Sequence, residues 1–311
     1  MSKSNNLCYN TQGDKMDKFV NGMLHGVYVS KRVIAIKKKR KVYFYYMSKG
    51  MFRNFMMYFT PGIYVFLSVS NRQRIYKRVI VQNVISIEKI LKPRKNHPII
   101  YYDVSIIKSG IKKIVNEPRY KIFIDFEMSM PPYTNYENFL SEIIQVGYVF
   151  TDSSGKIIEE YRSYIKPILF PELTRRTIKF LHITQEDVDN GISYIEFYNR
   201  FINIFHKYDP IIYVWGSNDQ IELNKMNKLY KLKKFTKRMR FINLLKLHKN
   251  YFGLKNDMGL FNAYNLYSEI DLFNQKHDAM EDALVTKKVF DYFKKVCNNE
   301  IQIKVEKKVG Y

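Results

Sequence analysis

Ile122-Phe123-Ile124-Asp125-Phe126-Glu127-Met128 is an apolar run broken by two acids spaced two residues apart. In an extended strand alternate side chains share a face, so Asp125 and Glu127 point together while Ile124 and Phe126 occupy the other side. Two carboxylates side by side in an apolar strand repel each other and are costly to desolvate. A divalent cation removes both difficulties. The ordinary alternative is an exposed strand edge, so the pattern needs support from elsewhere in the chain.

Outward from this run, strand-like and helix-like stretches alternate. Lys121–Met128 and Glu142–Thr151 read as strands, as does Lys156–Pro167 after the turn at Ser153-Ser154-Gly155. Tyr194–Tyr208 has helical spacing, Pro210–Trp215 reads as a buried strand and Asp219–Tyr230 as a helix, with Asp278–Val296 a long closing helix. This succession predicts an α/β domain with a mixed central sheet over residues 118–297, followed by a basic tail at 298–311.

Two further acids sit at informative places. Asp219 follows Tyr213-Val214-Trp215-Gly216-Ser217-Asn218, where a buried strand runs out at Gly216 and a helix begins. Its plain alternative is an N-cap or first-turn aspartate favoured by the helix dipole. Asp282 lies in His277-Asp278-Ala279-Met280-Glu281-Asp282-Ala283, in the second turn of the closing helix. Ala279 and Ala283, four apart, give that helix a small-residue face able to approach a sheet closely. His277 precedes Asp282 by five residues, about 500° of helical rotation, which predicts a histidine in the loop or cap reaching over the site. A capping or surface histidine is its alternative. Asp278 and Glu281 read as first-turn dipole partners and not as ligands.

Strand D-x-E, then W-G-x-x-D, then H-x-A-x-x-D, in that order, resembles the three exonuclease motifs of the DEDDh superfamily, which have ribonuclease H-like folds. The resemblance covers roughly Tyr120 to Phe293 and includes Ser141–Gly147 as the second strand and Tyr161–Pro167 followed by Leu181–Val188 as the strand-to-loop stretch. Trp215-Gly216 and Phe126 look closer to the sporulation-inhibitor and small-RNA or histone-messenger branch than to proofreading subunits. Three positions depart from the family pattern: Met128 replaces a small residue or threonine, His182 a frequent glycine, and Asn243 a frequent acid. The resemblance implies a metal-dependent 3′–5′ exonuclease acting on single-stranded nucleic acid, RNA favoured over DNA. It also implies two divalent ions, Mg²⁺ or Mn²⁺, held by Asp125, Glu127, Asp219 and Asp282, with His277 as general base and Met128 at the terminal-nucleotide pocket. In this division of roles Asp125 bridges the two ions, Glu127 and Asp282 complete one, and Asp219 helps the other through water. A catalytically silent nucleic-acid-binding regulator and a polymerase proofreading exonuclease are the competing readings; an intact ligand set argues against the first.

The remaining third of the chain is of another character. Of 52 Lys plus Arg and 29 Asp plus Glu, residues 1–117 hold 23 basic and only 5 acidic, a net of +18 that favours a polyanionic partner. Residues 1–20 read as a loose tail. Short runs at Val27–Val29, Val33–Ile36, Val42–Tyr46, Ile63–Val69 and Val79–Ile85, broken by turn signals, predict a small antiparallel barrel or sandwich within 21–117, and the order of features is similar to cold-shock and OB-type barrels. Residues 92–118 read as a connector with one extra strand. Aromatic side chains stack on bases while basic ones track phosphates, which makes Lys37, Lys38, Lys39, Arg40, Tyr43, Tyr45, Arg72 and Arg74 the candidate nucleic-acid contacts.

Composition narrows the class. With 46% hydrophobic and 26% charged residues the chain is globular, and Cys8 and Cys297 are too few for a disulfide framework or a cysteine zinc site. No apolar run reaches the length of a membrane span, and MSKSNNLCYN lacks a secretory h-region. A cytoplasmic enzyme with no membrane partner and no cofactor beyond the ions is the expectation.

Overall fold

The computed structural model describes residues 18–133, 139–233, 239–254, 256–268 and 277–303. Cys8, most of the expected tail at 1–20 and the end of the tail at 298–311 lie outside them. The chain divides into two compact units between Ile107 and Lys108.

The first unit is mostly β. Strands β1 (Lys18–Tyr28), β2 (Val33–Lys38), β3 (Lys41–Tyr46), β4 (Tyr64–Tyr76), β5 (Val79–Lys92) and β6 (Ile99–Asp103) form one sheet in the order β3-β2-β1-β4-β5-β6. A parallel pairing of Phe44–Tyr46 in β3 with Val81–Asn83 in β5 closes the first five strands into a barrel. Alternation fills it: Val20, Ile34, Ile36, Val65, Leu67, Val69, Val84 and Ile90 are buried together. Helix α1 (Lys49–Phe55), capped by the Ser48 hydroxyl accepting from the Met51 N–H, adds Phe52 to the same core.

Three expectations are corrected here. β1 begins inside the stretch read as a tail, because Val20 has a core position to fill and is 2% exposed. The run read as ending at Val69 continues through Ser70-Asn71 within β4, where a shift of register between Val69 and Gln73 absorbs the irregularity. The connector holds helix α2 (Val104–Val115) beside the expected extra strand β6; its buried Ile111 and Val115, four apart, give it an apolar stripe.

The second unit is an α/β layer structure. Its sheet runs β11-β10-β7-β8-β9, with β7 (Lys121–Met128), β8 (Ile143–Thr151), β9 (Ile157–Tyr164), β10 (Ile211–Val214) and β11 (Arg240–Asn243). β10 is parallel to β7 and β11, whereas β8 is antiparallel to β7 and β9, so the sheet is mixed as expected. Helices α3 (Arg175–Leu181), α4 (Gln185–Asp189), α5 (Tyr194–Tyr208), α6 (Asn218–Leu229), α7 (Leu244–Phe252), α8 (Leu260–Asn265) and α9 (Ala279–Cys297) complete it.

The parity of β7 sets the layout. Ile122, Ile124 and Phe126 enter one core with Phe197 and Phe201 of α5 and Leu223 and Met226 of α6. Phe123 faces the other way and meets Phe290 of α9 at 5.1 Å between ring centroids. Asp125 and Glu127 share the parity of Phe123, which directs both acids toward the closing helix. No helix among the described residues is long and apolar enough to cross a membrane.

Candidate active site

The closing helix reaches the sheet at a place where β8 has no side chain. Gly147 pairs with Asp125 across β7–β8, and a Cβ built on it would lie 2.2 Å from the Met280 nitrogen and 2.4 Å from the Ala279 oxygen. Only glycine admits the backbone of α9 this close. Asp278 is the N-cap of the helix, accepting from the N–H groups of Met280 and Glu281. Gln145, two residues before Gly147 on β8, clamps the cap from the sheet. Its Nε2 donates to Asp278 Oδ2 at 3.0 Å and its Oε1 accepts from the Ala279 N–H at 3.0 Å. Arg162 of β9 closes an ion pair with Asp278 at 2.6 Å. The clamp fixes the rotation of the first turns, which brings Asp282 back over the sheet.

Asp125, Glu127 and Asp282 thereby converge, with one carboxylate oxygen from each within 4.8 Å of the others. Glu127 is 8% exposed and Asp282 6%. Asp219 stands in the first turn of α6 at 7% exposure, just past Gly216, whose φ of +127° turns the chain out of β10 in a conformation closed to other residues. It lies beside Asp125 without joining the three-oxygen cluster: among the charges acting on Asp125, Asp219 is the strongest.

The electrostatics are those of negative charge without a counter-charge. Burial, reinforced by Asp219, Asp282 and Glu127, holds the Asp125 carboxyl well above the usual carboxylate range. Burial followed by repulsion from Asp282 pushes Glu127 to about 8, and burial raises Asp219 to about 6 despite backbone N–H donation to it. Among the described residues no Lys or Arg pairs with Asp125, Glu127 or Asp219. Hard oxygen donors, clustered and largely dehydrated, are the donor set that Mg²⁺ or Mn²⁺ takes, and no sulfur joins the cluster to favour a softer ion.

His277 precedes the cap with φ +50°, a left-handed backbone that carries its ring off the helix, as the rotation argument requires. The imidazole stacks on Phe180 at 4.3 Å between centroids, and partial burial together with nearby His182 lowers its pKa. The family departures have local causes. His182 ends α3 in the left-handed region at φ +54°, the conformation glycine serves best, and Asn243 caps α7 by accepting from the Lys246 N–H at 2.9 Å. Met128 packs half-buried against the core that holds Phe126.

Several contributors escaped the sequence reading. Gln145 was legible in principle, as a lone amide inside the fully buried run of β8. The Phe180 stack and the Arg162 pair carried no comparable signal. In the first unit Lys37, Lys39, Arg40, Tyr43, Arg72 and Arg74 are exposed and Lys38 is half-buried, but Tyr45 is 2% exposed within the barrel. Tyr45 is therefore corrected from a base contact to a core residue: strand parity sends it inward and its neighbours Phe44 and Tyr46 outward.

The comparisons agree with this geometry. The RNase T exonuclease family matches residues 122–290. The chain is 32% identical over 170 residues to the probable 3′–5′ exonuclease KapD of Bacillus subtilis (strain 168), covering 54% of this chain and 82% of that protein. Among solved structures, the nuclease domain of 3′hExo, a DEDDh family member bound to rAMP, is similar with a TM-score of 0.51 at 21% identity, covering 61% of this chain and 98% of that one. A 3′-exonuclease described as recognising histone mRNA stem-loop is similar with a TM-score of 0.50 at 21% identity, covering 60% and 67%. With its acids converged in a ribonuclease H-like sheet and its family match spanning that sheet, the chain belongs to the RNase T exonuclease family and is a 3′–5′ exonuclease.

Proposed function

We propose that this enzyme removes nucleotides from the 3′ end of single-stranded nucleic acid, with RNA preferred over DNA, using two divalent ions and a histidine base. The observation that carries the reading is the convergence of three carboxylates, those of Asp125, Glu127 and Asp282, on one point. Asp125, Glu127 and Asp282 would hold one ion, and Asp219 with Asp125 the other. Bound there, such ions polarise the scissile phosphate and offset charge on the departing oxygen.

The chain's own residues do the rest. His277, held by its stack on Phe180 and outside the carboxylate cluster, takes the proton of the attacking water on an imidazole nitrogen. Its lowered pKa keeps that nitrogen free at neutral pH. The Gln145–Asp278 clamp orients the turn that carries both His277 and Asp282. The RNA preference rests on the branch resemblance of Trp215-Gly216 and Phe126, and on relatives whose ligands are an mRNA stem-loop and rAMP. The barrel within residues 21–117 is read as OB-like, on the ring order β1-β2-β3-β5-β4 and a helix between β3 and β4.

Incubating 3′- and 5′-labelled RNA and DNA oligomers with Mg²⁺, Mn²⁺ or EDTA tests the reading. A ladder growing from the 3′ end, faster on RNA and lost with EDTA, is expected. Shortening from the 5′ end, or turnover that persists in EDTA, overturns it.

A further inference from the structure

Residues 18–87, which supply β1 to β4 and most of β5, contain fourteen Lys and Arg and no Asp or Glu. Among the described residues none of the fourteen is in an ion pair, whereas the second unit carries ion pairs on β9, α5, α6, α7 and α9. A drift toward AT-rich codons does not produce this, since Asp and Glu codons are as AT-rich as many that are abundant here. Soluble domains intersperse both signs because accumulated like charge destabilises the compact state. A ligand of opposite sign relieves that cost.

The positive charge is also organised. Arg74, on the β4–β5 hairpin, lies over the Tyr46 ring at 4.6 Å and the Tyr76 ring at 5.3 Å, with its Nε donating to Asn83 Oδ1 at 3.0 Å. Arg32, in the turn after β1, approaches the same Tyr46 ring at 5.5 Å and donates to its hydroxyl at 2.8 Å. Tyr46 and Tyr76 lie 4.7 Å apart at 58°. Three separate elements thus hold two guanidiniums and two phenol rings in one fixed array. Phe44, two residues before Tyr46, continues the aromatic row on the outer face of β3, and exposed Arg72 flanks the hairpin.

We propose that this array is a binding site for single-stranded nucleic acid, separate from the carboxylate centre. Unpaired bases stack on Phe44, Tyr46 and Tyr76, and phosphates contact Arg32, Arg72 and Arg74. Stacking needs the faces of bases, which a duplex hides, and guanidiniums held by rings and amides retain their charge for phosphate because no carboxylate neutralises it. The site tethers a long strand while its 3′ end is trimmed, and raises the effective concentration of that end.

Fluorescence anisotropy on the full chain in EDTA tests this without turnover, so its outcome is distinct from that of the nuclease assay. The probes are a 20-nucleotide oligouridylate, a 20-nucleotide oligothymidylate, a 20-base-pair duplex, and phosphatidylserine vesicles. Both single strands are expected to bind at least ten-fold tighter than the duplex. Arg72→Ala with Arg74→Ala, at exposed positions, should weaken single-strand binding about ten-fold and reduce the salt slope by about 1.4, two phosphate contacts' worth. Tyr46→Phe, which keeps the ring, should bind nearly as the parent does, whereas Tyr46→Ala should not. The proposal is overturned if the double variant binds single strands like the parent, if the duplex competes equally, or if vesicles bind more tightly than either strand.

Discussion

The two units handle charge in opposite ways. The nuclease unit gathers negative charge into one dehydrated point, where Glu127 and Asp282 are almost fully covered and no cation among the described residues answers Asp125. The barrel spreads positive charge over an exposed surface, and among the described residues none of the fourteen cations of residues 18–87 is in an ion pair. Buried charge is costly at short range and selects a small, hard ion of fixed position. Exposed charge is cheap, is screened over about 10 Å, and suits an extended polymer that slides. One chain therefore carries two electrostatic imperfections of opposite sign, and the chemistry of each suits a different partner.

The sharpest way to break the contrast is at the buried point. Asp125→Ala should lower hydrolysis by about 10³-fold or more, since several kcal/mol of transition-state stabilisation depend on the ion site, while oligonucleotide binding by the barrel stays near the parent value. Hydrolysis by this variant at near-parent rates would remove the carboxylate centre from the mechanism. His277→Ala should cut turnover by roughly 10²–10⁴ yet leave the Mn²⁺-induced rise in melting temperature intact, because the histidine stands outside the ligand cluster. A lost thermal shift would make it a ligand instead.

Gly147→Ala probes how the point is assembled. Its methyl would meet the backbone of Ala279 and Met280, which cannot swing aside as a side chain can. A cost of about 3 kcal/mol in chemical denaturation is expected, with activity falling further than stability because Asp282 moves with α9.

The pH response is the next smaller effect. Asp219 and Glu127 hold protons more tightly when folded, to about 6 and about 8, so the native state binds more protons than the unfolded chain. Without divalent ions, stability should therefore rise as pH falls from 8 toward 5, and Mg²⁺ should stabilise more at pH 8 than at pH 6. Thermal melts with and without the ion at both pH values check the sign. At the exposed surface, Lys37→Gln with Lys39→Gln should change stability by no more than about 0.5 kcal/mol. A larger loss would mean that the barrel's charges are structural.

Legibility followed the physics of each segment. Lys121–Met128 and Tyr194–Tyr208 were readable to the residue because a long unbroken period leaves no second solution. The cap geometry around His277 was readable from rotation alone, and Asp278 from its position. Helices α7 and α8 were missed because they span nine and six residues, too short for periodicity to accumulate. In β3 the strand was found but Tyr45 was set on the outside: Val42-Tyr43-Phe44-Tyr45-Tyr46 is apolar or aromatic throughout, so no polar position marks the outer face. The Gln145 clamp joins segments 134 positions apart, and no local pattern encodes such a contact.

Asp282 comes into place only when α9 docks on Gly147, and Asp125 precedes it by more than 150 residues. During synthesis the barrel and the first acids leave the ribosome well before the last ligand exists. Until the closing helix has been made and has docked, Asp125 and Glu127 stand without Asp282, so the three-carboxylate cluster is the last part of the unit to form.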